Sequence, residues 1–436
     1  MHREEYNGKR MTDMTMDNSS ALKRSRIMYM CEATLEYLIS ILVAGSYLAT
    51  LTRELGISDS LTGILSSVIS LGCLFQLLSM FYRKQKVKRF VILMSIVNQL
   101  MFMLLYVIPL GKAASELKIA VFVIMIIAAY VIYNFAHPKK IDWMMSLVDD
   151  SYRGRFTANK EIISLICGMI FSFVMGSVVD YFSEKNEIRT AFILSAVVIF
   201  ILMVSHTLSM VLTIEKPEVE EQKEKSLKKS ISELLSNKDV IRVSAMFVLF
   251  NISRYAAIPF FGTYEIKELG FNLKMVSVFT MTSSIVRIFV SRFWGTYADK
   301  NSFAKMIEKC LLIWGIGFVC VAFATPSWSR YLIIGYHICQ GISLGGINSA
   351  LINMIFDYVT PDKRADSLAI CQAGAGLVGF LSTIVMSPIV AMIQENGNTL
   401  FGISIYAQQV VSIIGLIFAL ITVLFVRRNF MKIKTN

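Results

Sequence analysis

The chain has 436 residues, of which 55% are hydrophobic and only 17% charged, and its mean hydropathy is +0.60. That balance excludes a soluble globular protein, which carries about 25% charged residues to cover its surface. The net charge of +12 does not mark a nucleic-acid binder, because the basic residues fall in short segments between apolar runs, alternately dense and sparse.

Apolar stretches of about 18 or more residues recur along the chain, each long enough to cross a bilayer as a helix. Spans are expected at 27–51, 58–82, 89–111, 117–148, 160–182, 189–214, 240–263, 273–298, 304–325, 330–357, 365–394 and 399–426. Twelve spans define an all-α, multi-pass membrane protein. The first residues are polar and show no cleavable signal peptide. Seven cysteines are scattered through the apolar runs with no CxxC pair, so neither a zinc site nor a disulfide framework is expected. No metal or other cofactor is implied.

Basic residues set the orientation. "RSR" (24–26) guards the first span and "RKQKVKR" (83–89) follows the second. Placing these segments inside, with most of the lysines and arginines, puts both termini in the cytoplasm. The expected organisation is a cytoplasmic tail (1–26), a six-helix bundle (27–214), a charged linker (215–239), a second six-helix bundle (240–426) and a short cytoplasmic tail (427–436). "YRGRFTANKEIISLICG" (152–168) aligns with "KRADSLAICQAGAGLVG" (363–379), matching Arg153 with Arg364 and Gly168 with Gly379. Two related halves are the repeat logic of rocking transporters.

Charged residues inside apolar spans are costly and usually pair or face a cavity. The first span carries Glu32 and Glu36 on one helical face, continued by Tyr29, Ser40 and Tyr47. The fourth ends in "NFAHPKKIDWMM" (134–145), where Pro138 leaves the carbonyl of Asn134 without its helical donor. Lys139 and Asp142 stand three apart, a spacing that allows pairing, and Trp143 offers a flat lining surface. The seventh span has Asn251 and Arg254 just before Pro259. The eighth has Arg287 in a polar stripe with Thr280, Ser284 and Ser291. The tenth has His337, Gln340, Asn348 and Asn353, with Gly341 and Gly345 spaced for close helix packing. Asn98, Gln99, His206, Gln372 and Gln408 read as isolated interhelical hydrogen bonds.

"GTYADKNSFAK" (295–305) resembles the loop signature of the major facilitator superfamily, Gly-x-x-x-Asp-Lys/Arg followed by a basic residue. "DDSYRGRF" (149–156) and "TPDKRADS" (360–367) are similar to that family's loops after helices four and ten, and "GMIFSFVMG" (168–176) to its helix five. The resemblance implies two pseudo-symmetric six-helix bundles with helices one, four, seven and ten around a central cavity. These carry Glu36, Lys140, Arg254 and Asn348. It also implies a gating role for Gly295, Asp299, Lys300, Arg153 and Arg364. The first-half copy of the signature, "SMFYRKQKVKR" (79–89), has neither glycine nor aspartate, which leaves the latch to Asp299.

The expected function is secondary active transport of a small polar or anionic organic solute by alternating access, coupled to protons, by a plasma-membrane monomer. Lys139, Lys140, Trp143, Asn251, Arg254, Arg287, Gln340 and Asn348 are the candidate solute-binding residues. Glu36, Glu32 and Asp142 are the candidate proton carriers, since burial and a nearby lysine pull a carboxylate's proton affinity in opposite senses. Sodium stays open, because oxygen ligands are present. No GxxxxGK[ST] loop offers ATP chemistry, and no HxxxH or HExxH spacing offers an intramembrane enzyme. A multidrug-type efflux pump and a non-transporting receptor or scaffold are the alternative readings.

Overall fold

The computed structural model describes residues 2–79, 87–148, 153–215, 237–359 and 364–430. Most of the expected linker 215–239, and the tips of the loops at 79–89, 149–156 and 360–367, lie outside the described residues. The described chain is almost wholly helical: α1 (His2–Leu42), α2 (Gly45–Glu54), α3 (Asp59–Ser79), α4 (Val87–Val107), α5 (Ser115–Met145), α6 (Arg153–Glu184), α7 (Ile188–Leu212), α8 (Lys238–Tyr255), α9 (Leu273–Lys300), α10 (Phe303–Ala322), α11 (Ser329–Tyr358), α12 (Arg364–Glu395) and α13 (Ala407–Asn429). A two-residue hairpin, Thr399–Leu400 with Ile403–Ser404, joins the last two helices.

Among the described residues nine helices are long and apolar enough to span a membrane, ten if the bent pair α1–α2 counts as one. Two more helices of the expected set, α3 and α10, fall outside that group but occupy their expected places in chain order. Side chains such as Ile124, Ile170, Leu208, Phe289 and Leu424 point outward. A soluble protein does not leave so many large apolar groups in water, so this belt is the lipid face.

Each half begins with a broken span. The first bends by 41° between α1 and α2, at Val43–Ala44, where Gly45 adopts φ +52°. A broken helix in a membrane must satisfy its freed backbone groups from within the protein. Tyr106 donates to the carbonyl of Leu42 at 2.5 Å and Tyr130 to that of Val43 at 3.5 Å. In the second half α8 stops at Tyr255. The chain passes through a 3-10 turn at Ile258–Phe260, opened by Pro259, and a π-helical turn at Tyr264–Glu268. The carbonyl of Tyr255, four residues before Pro259 and so without its helical donor, accepts from Thr383 Oγ1 at 2.8 Å.

The internal repeat has a structural counterpart. A Cβ placed at Gly168 of α6 would sit 2.4 Å from the Tyr37 ring, and one at Gly379 of α12 would sit 2.7 Å from the Tyr255 ring. The matched glycines thus seat matched tyrosines of α1 and α8. Glu36 and Arg254, each one residue before its tyrosine, occupy equivalent places in the two halves. The first spans also end alike, at Glu54-Leu55-Gly56 and Glu268-Leu269-Gly270, with φ +70° and +67° at the two glycines. The halves meet along two related seams, α3 against α12 and α6 against α9.

Gly341 and Gly345 bring α11 against α9: a Cβ at Gly341 would lie 2.4 Å from the carbonyl oxygen of Ser283. That neighbour is backbone and cannot swing aside. Gly341→Ala should therefore destabilise the protein by about 1–3 kcal/mol, the usual cost of overpacking. A Cβ at Gly295 of the loop signature would instead meet nothing within 4 Å. Gly295→Ala should stay within about 0.5 kcal/mol of the parent. Thermal melts of the two purified variants check this; equal losses would contradict the packing argument.

Candidate functional site

We call the end of the bundle that holds the start of α1, the end of α5 and the start of α6 the terminal end, and its opposite the far end. A cavity of about 370 Å³ opens in the terminal half of the molecule, between the two bundles. Its first-half wall comes from Tyr29, Glu32 and Glu36 of α1, His137 and Lys140 of α5, and Lys160 and Glu161 of α6; Arg287 of α9 reaches in from the second half.

Lys140 organises the wall. Its Nζ donates to Glu32 Oε1 at 2.8 Å and makes a close ion pair with Glu36. His206 of α7 lies behind, its Nε2 at 3.0 Å from Glu32 Oε1 and 3.6 Å from Glu36 Oε2. Gln99 of α4 holds the other ring nitrogen of His206 at 3.0 Å. Four helices thus converge on two carboxylates and one ammonium. Glu32, Lys140 and His206 are buried, whereas the side chain of Glu36 keeps 19% of its surface exposed and meets the cavity. Glu32 Oε2 is buried without a hydrogen-bond partner. An unpaired buried carboxylate oxygen is expensive, and Lys140 and His206 offset that cost only through the other oxygen, Oε1. Glu32, Glu36 and His206 each bring a donor atom within 4.8 Å of the others. The Lys140 ammonium already bonds both carboxylates, so the trio forms an ion-pair cluster and not a cation cage.

The remaining expected residues are placed as follows. Arg287 lines the cavity and pairs with Glu161 at 2.5 Å, across the two halves. Lys139 is half-buried and Asp142 exposed, with no ion pair between them. Trp143 is buried and donates to the carbonyl of Ile214 at 2.9 Å, which ties α5 to the end of α7. Asn251 bonds the carbonyl of Phe247 on its own helix. Arg254 lies over the Tyr255 ring, 5.4 Å from its centroid. Gln340 donates to the Tyr336 hydroxyl and accepts from Ser283, and Asn348 is exposed. Of these eight, Arg287 alone lines this cavity beside Lys140. Lys300 is exposed at the end of α9. The "GTYADK" stretch itself forms the last turns of α9. The side chains of Arg153, Asp299 and Arg364 lie outside the described residues.

The far end is sealed by contacts between the halves. Lys267 Nζ meets Asp59 Oδ1 at 2.5 Å and the carbonyl of Ile57 at 3.2 Å, and Gln394 reaches Asp59 Oδ2 at 2.8 Å. Asp180 accepts from the first two amides of α9, Leu273 at 2.9 Å and Lys274 at 2.7 Å, where a helix start favours negative charge. Glu265, buried in the π turn, accepts from Ser46 at 2.9 Å and sits 3.3 Å from His337. Gly262 packs directly on the backbone of Gly45. In the terminal half, among the described residues, Arg287–Glu161 is the ion pair that crosses between the bundles.

Sequence reasoning took His206 and Gln99 for isolated hydrogen-bonding residues and passed over Lys160, Glu161, Asp59, Asp180, Glu265 and Lys267. Their partners lie on other helices, and nothing in local spacing reveals them. Glu265 carried one legible signal, an acid two residues past the expected seventh span and shortly after Pro259.

Broken spans, a cavity edged by charged side chains where Arg287 of the second half reaches the first, and a closed far end define a helical membrane transporter. The Major Facilitator Superfamily profile matches residues 27–308, and the chain belongs to that family; it is a transporter and not an enzyme. Its fold is similar to that of a nucleoside transporter, NupG (TM-score 0.66, 15% identity, 95% of this chain and 100% of the other covered). It is also similar to a bacterial homologue of the human lysosomal transporter Spinster in an inward-facing, unoccupied conformation (TM-score 0.67, 14% identity, 95% and 98% covered). A D-xylose–proton symporter shares the fold as well (TM-score 0.66, 13% identity, 92% and 96% covered). Comparison with curated protein sequences gives no match.

Proposed function

We propose that this transporter moves a small polar or anionic organic solute by alternating access and couples the movement to protons. The observation that supports this most directly is the Glu32–Lys140–Glu36–His206 cluster in the wall of the cavity between the halves. Two carboxylates share one lysine, so the cluster has a protonation site that both water and solute can reach through Glu36. The bundles 27–214 and 240–426 rock as units. The far-end contacts hold one limiting conformation, and their release gives the other. With both termini cytoplasmic, as the basic residues favour, the described conformation faces the cytoplasm from the plasma membrane. One chain supplies both walls of the cavity, so a monomer suffices.

The cluster makes a specific prediction. In Glu36→Gln the proton-linked carboxylate is lost, but the cavity and its other groups remain. Gradient-driven accumulation in proteoliposomes should fall at least about tenfold, the loss of one charge-assisted contact, while solute exchange without a gradient persists. Unchanged accumulation would remove Glu36 from the coupling role. Loss of exchange together with accumulation would place it in solute binding instead.

A further inference from the structure

Besides His137, the cavity wall carries three acids, Glu32, Glu36 and Glu161, and three lysine or arginine side chains, Lys140, Lys160 and Arg287. Their pairing is uneven. Lys140 is shared by Glu32 and Glu36, so its charge is fully engaged and has little to give a solute. Arg287 is held by Glu161 at 2.5 Å. Lys160, half-buried on α6, is different. Its Nζ rests 3.4 Å from the Tyr29 hydroxyl and 4.9 Å above that ring, and no carboxylate among the described residues pairs with it. A hydroxyl and a ring face hold a cation in place without neutralising it.

The Arg287–Glu161 pair is also replaceable. The Glu161 side chain is 51% exposed and that of Arg287 25%, and pairs this wet contribute little, about 0–1 kcal/mol. Glu161 follows Lys160 directly in the chain and lines the same cavity. An arriving acid therefore meets one cation without a carboxylate and a second whose carboxylate is held loosely.

We infer, resting on the transport reading above, that Lys160 and Arg287 form an anion subsite for a carboxylate or phosphate group of the solute. Glu161 occupies Arg287 when the site is empty and yields it to the solute's acid. Lys160 belongs to the first half and Arg287 to the second. A bound acid then joins the two bundles directly, whereas in its absence Glu161 makes that link. The solute thus replaces an internal tie with one that only a loaded site can form. Lys140, the most conspicuous lysine in the sequence, serves the proton cluster instead.

The test uses the full-length purified protein and matched ligands that differ in the acid alone: hexoses beside hexose phosphates, nucleosides beside nucleoside 5′-monophosphates, and aliphatic carboxylates beside their carboxamides. A ligand that binds only the folded state raises the melting temperature, and titration calorimetry then gives its affinity. At least one acid member should bind more tightly than its neutral twin, and whether it is a phosphate or a carboxylate identifies the group. Lys160→Met should weaken that acid about tenfold or more, the scale of a lost hydrogen bond to a charged group, and Lys160→Arg should retain most of the binding. Glu161→Gln should act in the opposite sense and tighten the acid severalfold, because its competitor for Arg287 is gone. A merely structural role for Glu161 would not produce that gain. If neutral twins bind and are transported as well as the acids, or if Glu161→Gln fails to tighten the acid, the subsite is refuted while transport stands. If no member binds and proteoliposomes move none of them, both readings fall together.

Discussion

Replacing Lys140 by methionine should cost the folded protein about 3–5 kcal/mol, the usual effect of removing one partner from a buried ion pair, and should abolish coupled transport. The side chain of Lys140 is 6% exposed, and both of its acceptors are carboxylates. Methionine keeps the bulk but leaves Glu32 and Glu36 facing each other in a site shared with His206. Glu32 already has one buried oxygen without a partner, so the variant strands more acceptor capacity where water is scarce. The triple variant Glu32→Gln, Glu36→Gln, Lys140→Met removes the charges together. It should recover most of the lost melting temperature, since replacing a whole buried ion cluster by neutral groups is often neutral or stabilising, yet it should remain uncoupled. Melting curves and proton-linked uptake of the three proteins separate the two effects. If Lys140→Met melts like the parent, the cluster is solvated and its electrostatic role is refuted.

Much of the fold was legible in the sequence because a bilayer imposes a coarse rule. Helices must be long and apolar, and charges within them must be accounted for. The rule weakens where a helix is sheltered by its neighbours. α10 carries Lys305, Glu308 and Lys309, and Glu308 is buried against Arg427 of α13 at 2.6 Å. The pairing of Glu36 with Lys140 was foreseeable, since both stand inside their spans and carry opposite signs. The part played by His206 was not, because it reaches Glu32 across 174 positions of sequence. Polar residue type was also a poor guide to direction. Asn251 turns back onto its own helix and Trp143 donates to the carbonyl of Ile214 just past α7, though both looked suited to a cavity wall. Lys160 sat at the edge of an apolar run and resembled an ordinary anchoring lysine. Only the fold shows that its neighbour is Tyr29 and not an acid.

Asp59→Asn should shift the transporter toward a conformation open at the far end. Asp59 is only 4% exposed and holds both Lys267 and Gln394 from the other half. Asparagine still accepts one hydrogen bond, but it leaves the Lys267 ammonium half-sheltered without a counter-charge. That penalty applies only while the far end is shut, because opening returns Lys267 to water. A buried pair broken on one side is worth about 3–5 kcal/mol, and part of it is recovered here through the carbonyl of Ile57. A shift of roughly tenfold to a hundredfold in the ratio of conformations is therefore expected, at about 1.4 kcal/mol per tenfold. Spin labels on the exposed far-end positions Lys185 and Thr325, in a background without the native cysteines, would report it as a longer distance. The charge swap Asp59→Lys with Lys267→Asp should restore the short distance, whereas Lys267→Met should behave like Asp59→Asn. The Asp180 cap on α9, the Ser46–Glu265 bond and the Gly45–Gly262 packing all remain in these variants. An unchanged distance in Asp59→Asn would therefore mean that those contacts carry the seal and that the ion pair merely accompanies it.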